Sequence, residues 1–303
     1  MSADNDDLQQ HERYLWGLAY RMLGVAADAD EVVQDTFVRA LEHPPDRDRP
    51  LRPWLSRVAA NLSRDRLRSR RRRRYVGPWL PGPVDVSTLP DPAPGAEARY
   101  GALESSSFAF LLALEALTPN QRAVLLLRDV LDWSGRETAQ ALGMSETNAK
   151  VTLHRARRAL AAYDRNPSRP SAELSERTMQ ALAAFLGALA SGDPAAFGEA
   201  LASEARLLSD GGGQFFAARK PVYGAARIAG VYAALLARRQ KHGPGLPSAS
   251  LVVLNGLPAL LCTDADAPPG DARRWIMRCD VDADGRVVDL HSILHPSKLG
   301  GLP

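Results

Sequence analysis

Cysteine is nearly absent from this sequence. Cys262 and Cys279 are its two thiols, too few for a disulfide framework or a Cys-rich zinc site. No apolar run approaches the roughly 20 residues that a bilayer-spanning helix needs. The opening stretch Met1–Gln10 is polar and acidic rather than built like a signal peptide. A cytoplasmic protein with no membrane contact is therefore expected. An excess of one charge sign is also lacking, with a net +3 at pH 7, and no internal repeat is visible. What is present is 303 residues, 45% hydrophobic and 24% charged. That is the composition of a globular chain, long enough for two or three small domains.

The small net charge hides a segregation. Arg64–Arg74 holds eight arginines against one acid, Asp65. A second basic cluster runs through Lys150, His154, Arg155, Arg157 and Arg158. Focused positive charge points to a polyanion partner, although a solvated helix end would also carry the first run. The chain reads as helices from Leu8 to Tyr75. In Asp28–Glu42, Ala29, Val33, Phe37 and Leu41 recur at helical spacing and make one apolar face. Asp28, Glu31, Asp35 and Glu42 fall on another stripe. After a proline-rich break from His43-Pro44-Pro45 to Pro50, a second helix turns Trp54, Leu55, Val58, Ala59 and Leu62 inward and runs on into the arginines. From Val76 to Ser107, Pro78, Pro81, Pro83, Pro90, Pro92 and Pro94 exclude regular helix or central strand. A semi-rigid extended spacer is expected there.

Helices return from Phe108 to Tyr163. Thr118-Pro119-Asn120-Gln121 supplies an N-cap, a proline at the first helical position and a glutamine able to close a capping box. Ser134-Gly135-Arg136-Glu137 is a second box, Gly143 stops that helix, and Ser145 caps the next. Two capped helices joined by the tight turn Gly143-Met144 have helix-turn-helix spacing. In the second, Ala149, Leu153, Ala156 and Leu160 form an inward stripe. Thr147, Lys150, His154 and Arg158 project from the other side, where small polar and cationic groups can reach base edges and phosphates in a major groove. An ordinary helical hairpin with a basic face is the alternative. No His or Cys partner stands at ligand spacing from His154, so it is not read as a metal ligand, and no metal or cofactor is expected.

Past Asn166-Pro167-Ser168-Arg169-Pro170 the composition shifts. Glu173–Ala190 reads as an Ala/Leu-rich helix, Gly192-Asp193-Pro194 as a turn, and Ala205–Ser209 as a short strand before Asp210-Gly211-Gly212-Gly213. A helix covers Ala225–Arg239. Ala249–Leu254, Ala259–Thr263, Arg273–Val281 and Val287–Ile293 read as strands, with Asp284-Gly285 the hairpin signal between the last two. The expected result is an α+β domain of helices on a curved antiparallel sheet. Paired as a hairpin, Ala259–Thr263 and Arg273–Val281 leave Cys262 and Cys279 out of register for a disulfide. Asp282-Ala283-Asp284-Gly285 is a turn, too short for a calcium loop. Asp264, Asp280, Asp289 and His291 are the groups that could do acid–base chemistry if the fold encloses a pocket.

Asp28-Ala29-Asp30-Glu31-Val32-Val33-Gln34-Asp35-Thr36-Phe37 resembles the polymerase-binding helix of sigma region 2. The stretch Arg52-Pro53-Trp54-Leu55 through Asn61 to Arg68 resembles the following helix, which reads the −10 element. Leu117-Thr118-Pro119 through His154-Arg155-Ala156-Arg157-Arg158-Ala159-Leu160 resembles sigma region 4. Two such blocks in this order, joined by an irregular linker, make the first half of the chain similar to the extracytoplasmic-function (ECF) sigma factors of the sigma-70 family. The resemblance implies two all-α sigma domains, a region 2 helical bundle at 8–75 and a region 4 helix-turn-helix at 108–165, with the linker 76–107 between them. It implies promoter-specific transcription initiation rather than enzymatic activity. Asp28, Asp30, Glu31, Val32, Gln34, Asp35 and Phe37 are then expected to dock on the β′ clamp helices of the RNA polymerase core, with the β flap a further contact. Arg52, Trp54, Arg57, Asn61, Arg64 and Arg68 are expected to hold −10 promoter DNA. Opening a promoter calls for a cationic track and planar groups for bases, although Trp54 also suits a core position. Ser145, Thr147, Asn148, Lys150, Val151, His154, Arg155 and Arg158 are expected at the −35 element.

Residues 172–296 look like the SnoaL/NTF2-like cone-shaped α+β fold, with 297–303 as a tail. Trp79-Leu80-Pro81-Gly82-Pro83, Asp210-Gly211-Gly212-Gly213-Gln214 and His295-Pro296-Ser297-Lys298-Leu299 resemble three motifs of the J-type sigma subgroup. Its members tend to have Trp-Leu-Pro-Glu-Pro, a final lysine in the second motif, and Asn-Pro-Asp-Lys-Leu. In that subgroup the extension acts in cis in place of a separate anti-sigma protein. Trp79, Leu80, Pro81, Asp210, Gly211, Gly212, Gly213 and Gln214 are therefore expected at an intramolecular contact between the C-terminal domain and the sigma domains. Gly82 and Gln214 lack the charges of that pattern, so a neutral contact is expected in place of a salt bridge. Two alternatives stay open: a ligand-responsive helix-turn-helix regulator that binds a palindromic duplex as a dimer, and a SnoaL-like isomerase or cyclase with a DNA-binding appendage. The identity of any small-molecule ligand is left open.

Overall fold

The computed structural model describes residues 5–45, 50–72, 75–86, 99–165, 167–241, 247–300 and 302. Residues 1–4 and 46–49, Arg73, Arg74, Pro90, Pro92, Pro94 and Asn166, named above, lie outside the described residues. The chain forms two compact units, one of Met1–Arg74 with Val84–Arg169 and one of Tyr75–Pro83 with Pro170–Pro303.

The first unit is helical. It opens with α1 (Asn5–Gln9), α2 (Glu12–Leu23), α3 (Ala26–Glu42) and α4 (Leu51–Arg72). Gly24 ends α2 at φ 71°, the left-handed conformation that a residue without Cβ adopts most easily. The buried stripe of α3 is Ala29, Val32, Val33, Thr36 and Ala40. This corrects the face read from the sequence, because Leu41 is 48% exposed. A strict four-residue spacing drifts by about 40° per step around a helix of 3.6 residues per turn, so the core-facing set must move from i+4 to i+3 along α3. Next come α5 (Ala102–Ser106), α6 (Phe108–Ala113), α7 (Pro119–Leu125), α8 (Gly135–Leu142), α9 (Glu146–Ala159) and α10 (Ala161–Arg165). Helix α5 forms inside the expected spacer, past the last proline of the cluster. Both capping boxes form: Thr118 with Gln121, and Ser134 with Glu137. One continuous core runs from Leu15, Leu18 and Leu55 to Phe110, Leu126 and Leu160. Burial on that scale is the main stabilising term for the unit. Within it Glu115 accepts from Arg70 at 2.8 Å and from Arg122 at 2.5 Å. Burial pushes the Glu115 carboxyl up, but the two guanidiniums hold it below its ordinary value.

The second unit places helices on a sheet. Its elements are α11 (Ala172–Ser191), α12 (Pro194–Ala200), β1 (Leu201–Asp210), β2 (Val222–Tyr223), α13 (Ala225–Gln240), β3 (Ser248–Leu254), β4 (Leu257–Thr263), β5 (Arg274–Val281) and β6 (Val287–Ile293). The strand order is β2-β1-β6-β5-β4-β3. All neighbouring pairs are antiparallel except β1 and β6, which run parallel. The sheet is therefore mixed, a correction to the antiparallel expectation. A parallel pair needs a long crossover, and the chain from β2 to β5 supplies it. The turn before β6 closes as expected, with Asp282 N–H donating to Arg286 O at 2.9 Å and Gly285 at φ 77°. Cys262 pairs across the sheet with Trp275 and Cys279 with Leu290, so the two thiols stay apart and free. Burial pushes both thiols up to about 12.

Register divides the sheet into two faces. Leu207, Leu290, Cys279, Leu260 and Met277 join the core beneath α11 and α13, where Phe185, Phe197 and Tyr232 pack edge to face. Arg206, Asp289 and Asp280 stand opposite one another on the other face.

Candidate nucleic-acid interface and linker clamp

Helix α9 is placed by Ser145, whose hydroxyl accepts from Asn148 N–H at 3.2 Å. Ala149, Leu153, Ala156 and Leu160 are buried, as their spacing predicts. That anchoring leaves Ser145, Thr147, Asn148, Lys150, Val151, His154, Arg155 and Arg158 exposed on one side. Arg157, between them in sequence, instead forms a two-bond pair with buried Asp129 at 2.9 and 2.7 Å. Such a bidentate pair fixes the helix against its neighbour.

On α3, Asp30, Glu31, Gln34 and Asp35 are exposed, and Asp28 and Phe37 are half-buried. Asp30 accepts from Trp16 Nε1–H at 2.6 Å, while Glu31 and Asp35 share Arg66 at 3.1 and 3.0 Å. Val32 is 0% exposed and belongs to the core, which corrects its placement among docking residues: a side chain with no free surface cannot touch a partner. Two side chains missed by the sequence reading stand out in its place, Val38 at 50% and Leu41 at 48% exposure. Apolar surface beside acids is what a protein-binding helix face offers.

On α4, Arg52 and Arg57 are exposed, and the Arg52 guanidinium lies 3.9 Å from the centroid of the Tyr14 ring. Trp54 is half-buried against the core. Asn61 Nδ2 donates to Ala141 O at 3.0 Å and Arg64 Nη1 to Leu142 O at 3.1 Å. The last carbonyls of α8 lack partners within their own helix, and a cation is favoured there. Arg68 bonds Asp65 and Asn120, each at 3.1 Å.

In the second unit, the linker segment Tyr75–Pro83 is clamped by the end of β1. Asp210 is 0% exposed. It accepts from the Tyr75 hydroxyl, from Leu80 N–H at 2.7 Å and from Lys298 Nζ. Lys298 Nζ also donates to Leu80 O at 2.6 Å and lies 4.1 Å from the centroid of the Trp79 ring. Leu80 and Pro81 are buried. A Cβ at position 82 would sit 2.9 Å from Lys298 O, so Gly82 is required by the close approach of two backbones. Gly212 has φ 56°, and a Cβ there would run into the His295 ring. A Cβ on Gly213 would meet Val76 at 3.0 Å, and one on Gly211 would meet Ala217 at 3.1 Å. Gln214 Nε2 lies 3.3 Å from His295 Nε2, a neutral contact. Gly82 and Gln214 bring no charge, and a different salt bridge, between Asp210 and Lys298, holds the linker segment. Lys298 and Tyr75 were not read as site residues. The sequence signal for this bridge is the lysine of His295-Pro296-Ser297-Lys298-Leu299.

The acid–base candidates are matched to arginines. Asp289 bonds Arg206 at 2.7 and 2.9 Å, Asp280 bonds Arg278 at 2.6 Å, and Asp264 bonds Arg239 at 2.7 and 3.1 Å. His291 Nδ1 lies 3.2 Å from Arg278 Nη1, and burial with that guanidinium lowers its pKa to about 3. Asp280, Asp289 and His291 approach one another closely enough to consider a metal. Two guanidiniums already neutralise their carboxylates.

The sigma-70 region 2 family matches residues 8–73, and the sigma-70 region 4 family matches residues 107–160. The chain is 33% identical to the ECF RNA polymerase sigma factor SigJ of Mycobacterium tuberculosis over 308 positions, covering 99% of this chain and 94% of that one. The chain belongs to the extracytoplasmic-function sigma factors. It is also 38% identical to SigL of the same organism over 154 positions, 50% of this chain and 82% of that one. The crystal structure of M. tuberculosis SigJ matches it with a TM-score of 0.72 at 26% identity, covering 98% of this chain and 99% of that one. This sigma factor thus carries its two sigma regions in the first unit and a SnoaL-like domain in the second. As a sigma factor it acts with RNA polymerase core on promoter DNA. Among the described residues no helix is long and apolar enough to cross a membrane.

Proposed function

We propose that α9 reads the −35 element of the promoter, that α4 holds the −10 strand, and that α3 docks on the β′ clamp helices of the polymerase, with the β flap meeting region 4. The exposed row from Ser145 to Arg158 carries the first assignment: phosphates are met by Lys150, Arg155 and Arg158, and base edges by Thr147, Asn148 and His154. Arg52, Arg57, Arg64 and Arg68 with Trp54 and Asn61 serve the −10 strand. Asp28, Asp30, Glu31, Gln34, Asp35 and Phe37, joined by Val38 and Leu41, serve the polymerase. The place of action is that of the polymerase, the cytoplasm. The SnoaL-like domain regulates in cis and without catalysis. Two supports carry this: the clamp on Tyr75–Pro83, the segment that leaves region 2, and the pairing of its acids with arginines.

Run-off transcription with core polymerase on the DNA upstream of the gene is the test. Stimulation by the full chain or by a chain cut at 166–170, between region 4 and the SnoaL-like domain, is the expected result. No stimulation by either sinks the assignment.

A further inference from the structure

The SnoaL-like domain holds a partly open cavity of about 370 Å³ between α13 and the core face of the sheet. Leu189, Leu207, Val231, Leu235, Trp275 and Met277 make most of its wall apolar. Its volume falls within the range of small-molecule sites. At the packing of benzene in an engineered cavity of about 150 Å³, it holds roughly 15 non-hydrogen atoms. The ionic groups on its lining are Arg239, Asp264 and Asp271. Arg239 is bonded twice to Asp264, and Asp271 is bonded to Arg238 at 3.0 Å. Among the described residues, each charge on the lining already has a partner of opposite sign, and burying an unmatched ion there is costly. The neutral polar groups include Ser209, Ser292 and Tyr232. The Tyr232 hydroxyl lies 3.5 Å from Ser292 Oγ, at the limit of a hydrogen bond. Burial raises its pKa, which keeps it a protonated donor.

One wall of this cavity is also the back of the linker clamp. Ser209 faces the cavity, and its neighbour Asp210 holds Tyr75, Leu80 and Lys298. Leu294 lines the cavity and donates its N–H to Asp210 O at 2.9 Å, as does His295 at 3.1 Å. Phe216, Ala217 and Ala218, which line it, begin three residues past the glycine run that packs on Val76 and His295. A molecule that moves Phe216–Ala218 or Leu294 therefore moves the frame of Asp210.

We propose that this cavity is a ligand site for an uncharged, largely apolar molecule with one hydrogen-bonding group, and that its occupancy shifts the clamp on Tyr75–Pro83. The second half rests on the reading that the clamp regulates transcription. The test uses the full chain and two probes with the same rings: neutral N-phenyl-1-naphthylamine and its anionic relative 8-anilinonaphthalene-1-sulfonate. Fluorescence titration is expected to show one saturable site for the neutral probe and at least tenfold weaker binding of the sulfonate. Leu235→Trp and Leu236→Trp fill the cavity from half-buried positions, so at least one folded variant is expected, and each weakens the neutral probe at least tenfold while melting like the parent. Tight sulfonate binding, or neutral binding indifferent to both substitutions, overturns the site. Run-off transcription is then measured with and without the neutral probe. A change of twofold or more that is lost in Leu235→Trp supports coupling; binding without any change in transcription overturns it. Asp210→Asn with Lys298→Met separates the two readings. If that pair leaves transcription unchanged, regulation through the clamp fails while the titration still judges the site.

Discussion

The side chain of Asp210 accepts three hydrogen bonds in the second unit, and its surroundings make its energetics asymmetric. It is fully buried, and its partner Lys298 is 5% exposed. Removing one member of a buried pair leaves an uncompensated charge, a loss of about 3–5 kcal/mol, whereas removing both is often close to neutral. Asp210→Asn or Lys298→Met alone is therefore expected to lower the denaturant midpoint of the SnoaL-like unit strongly, and the double substitution to recover part of the loss. Additive single effects in that cycle would contradict a direct pair. His291 gives a second residue-scale expectation. Its pKa is lowered to about 3 by burial and by Arg278, against about 6.5 in an unfolded chain. Between those values the unfolded state binds the extra proton, so stability is full above pH 6.5 and falls as pH drops toward 3, by on the order of 1 kcal/mol per pH unit. In His291→Gln that slope is expected to flatten between pH 7 and pH 5. Urea unfolding at the two pH values measures it, and an unchanged slope would rule His291 out as its source.

At the scale of elements, α9 is the clearest case of structure written in sequence. Its cap, its inward stripe and its basic face were all legible, because a capped amphipathic helix is specified by local spacing. A quantitative expectation follows. If α9 reads the −35 element, Lys150→Ala and Arg158→Ala are each expected to remove a phosphate contact and reduce the salt slope of promoter binding by about 1. Thr147→Ala and Asn148→Ala are expected to alter preference among −35 sequences with little change in that slope. Filter binding of holoenzyme across a salt series separates the two classes. Other elements were legible only in part. The i+4 repeat in α3 named the right helix but turned Leu41 inward and left Val32 outside, since a short repeat does not fix rotation about the axis. Strands β3 to β6 were found from alternation and turns, yet the parallel pairing of β1 with β6 left no local trace. Long-range pairing depends on the whole connection, as does the closing of Lys298 on a linker more than 200 residues earlier in the chain.

At the scale of the molecule, the segment Tyr75–Pro83, which follows region 2 in the chain, is bonded to the SnoaL-like domain. Leu80 is 0% exposed, with its N–H on Asp210 and its carbonyl on Lys298. Release of Tyr75–Pro83 must desolvate nothing new but must break those bonds and expose Leu80 and Pro81. A clamp stable by about 3 kcal/mol keeps the released form below about 1%. Loss of the clamp therefore shifts the population by two orders of magnitude, ample for a regulatory effect. This reasoning links two different perturbations. Deleting 170–303 removes Asp210 and Lys298 together with the whole domain, while Asp210→Asn with Lys298→Met keeps the domain and removes only the ion pair. If the clamp is the route of control, both are expected to change run-off transcription in the same direction on the same promoter, with the double substitution giving the smaller change because Leu80 retains its apolar seat. Opposite directions, or a response to the deletion alone, would move control away from the linker and onto another surface of the SnoaL-like domain.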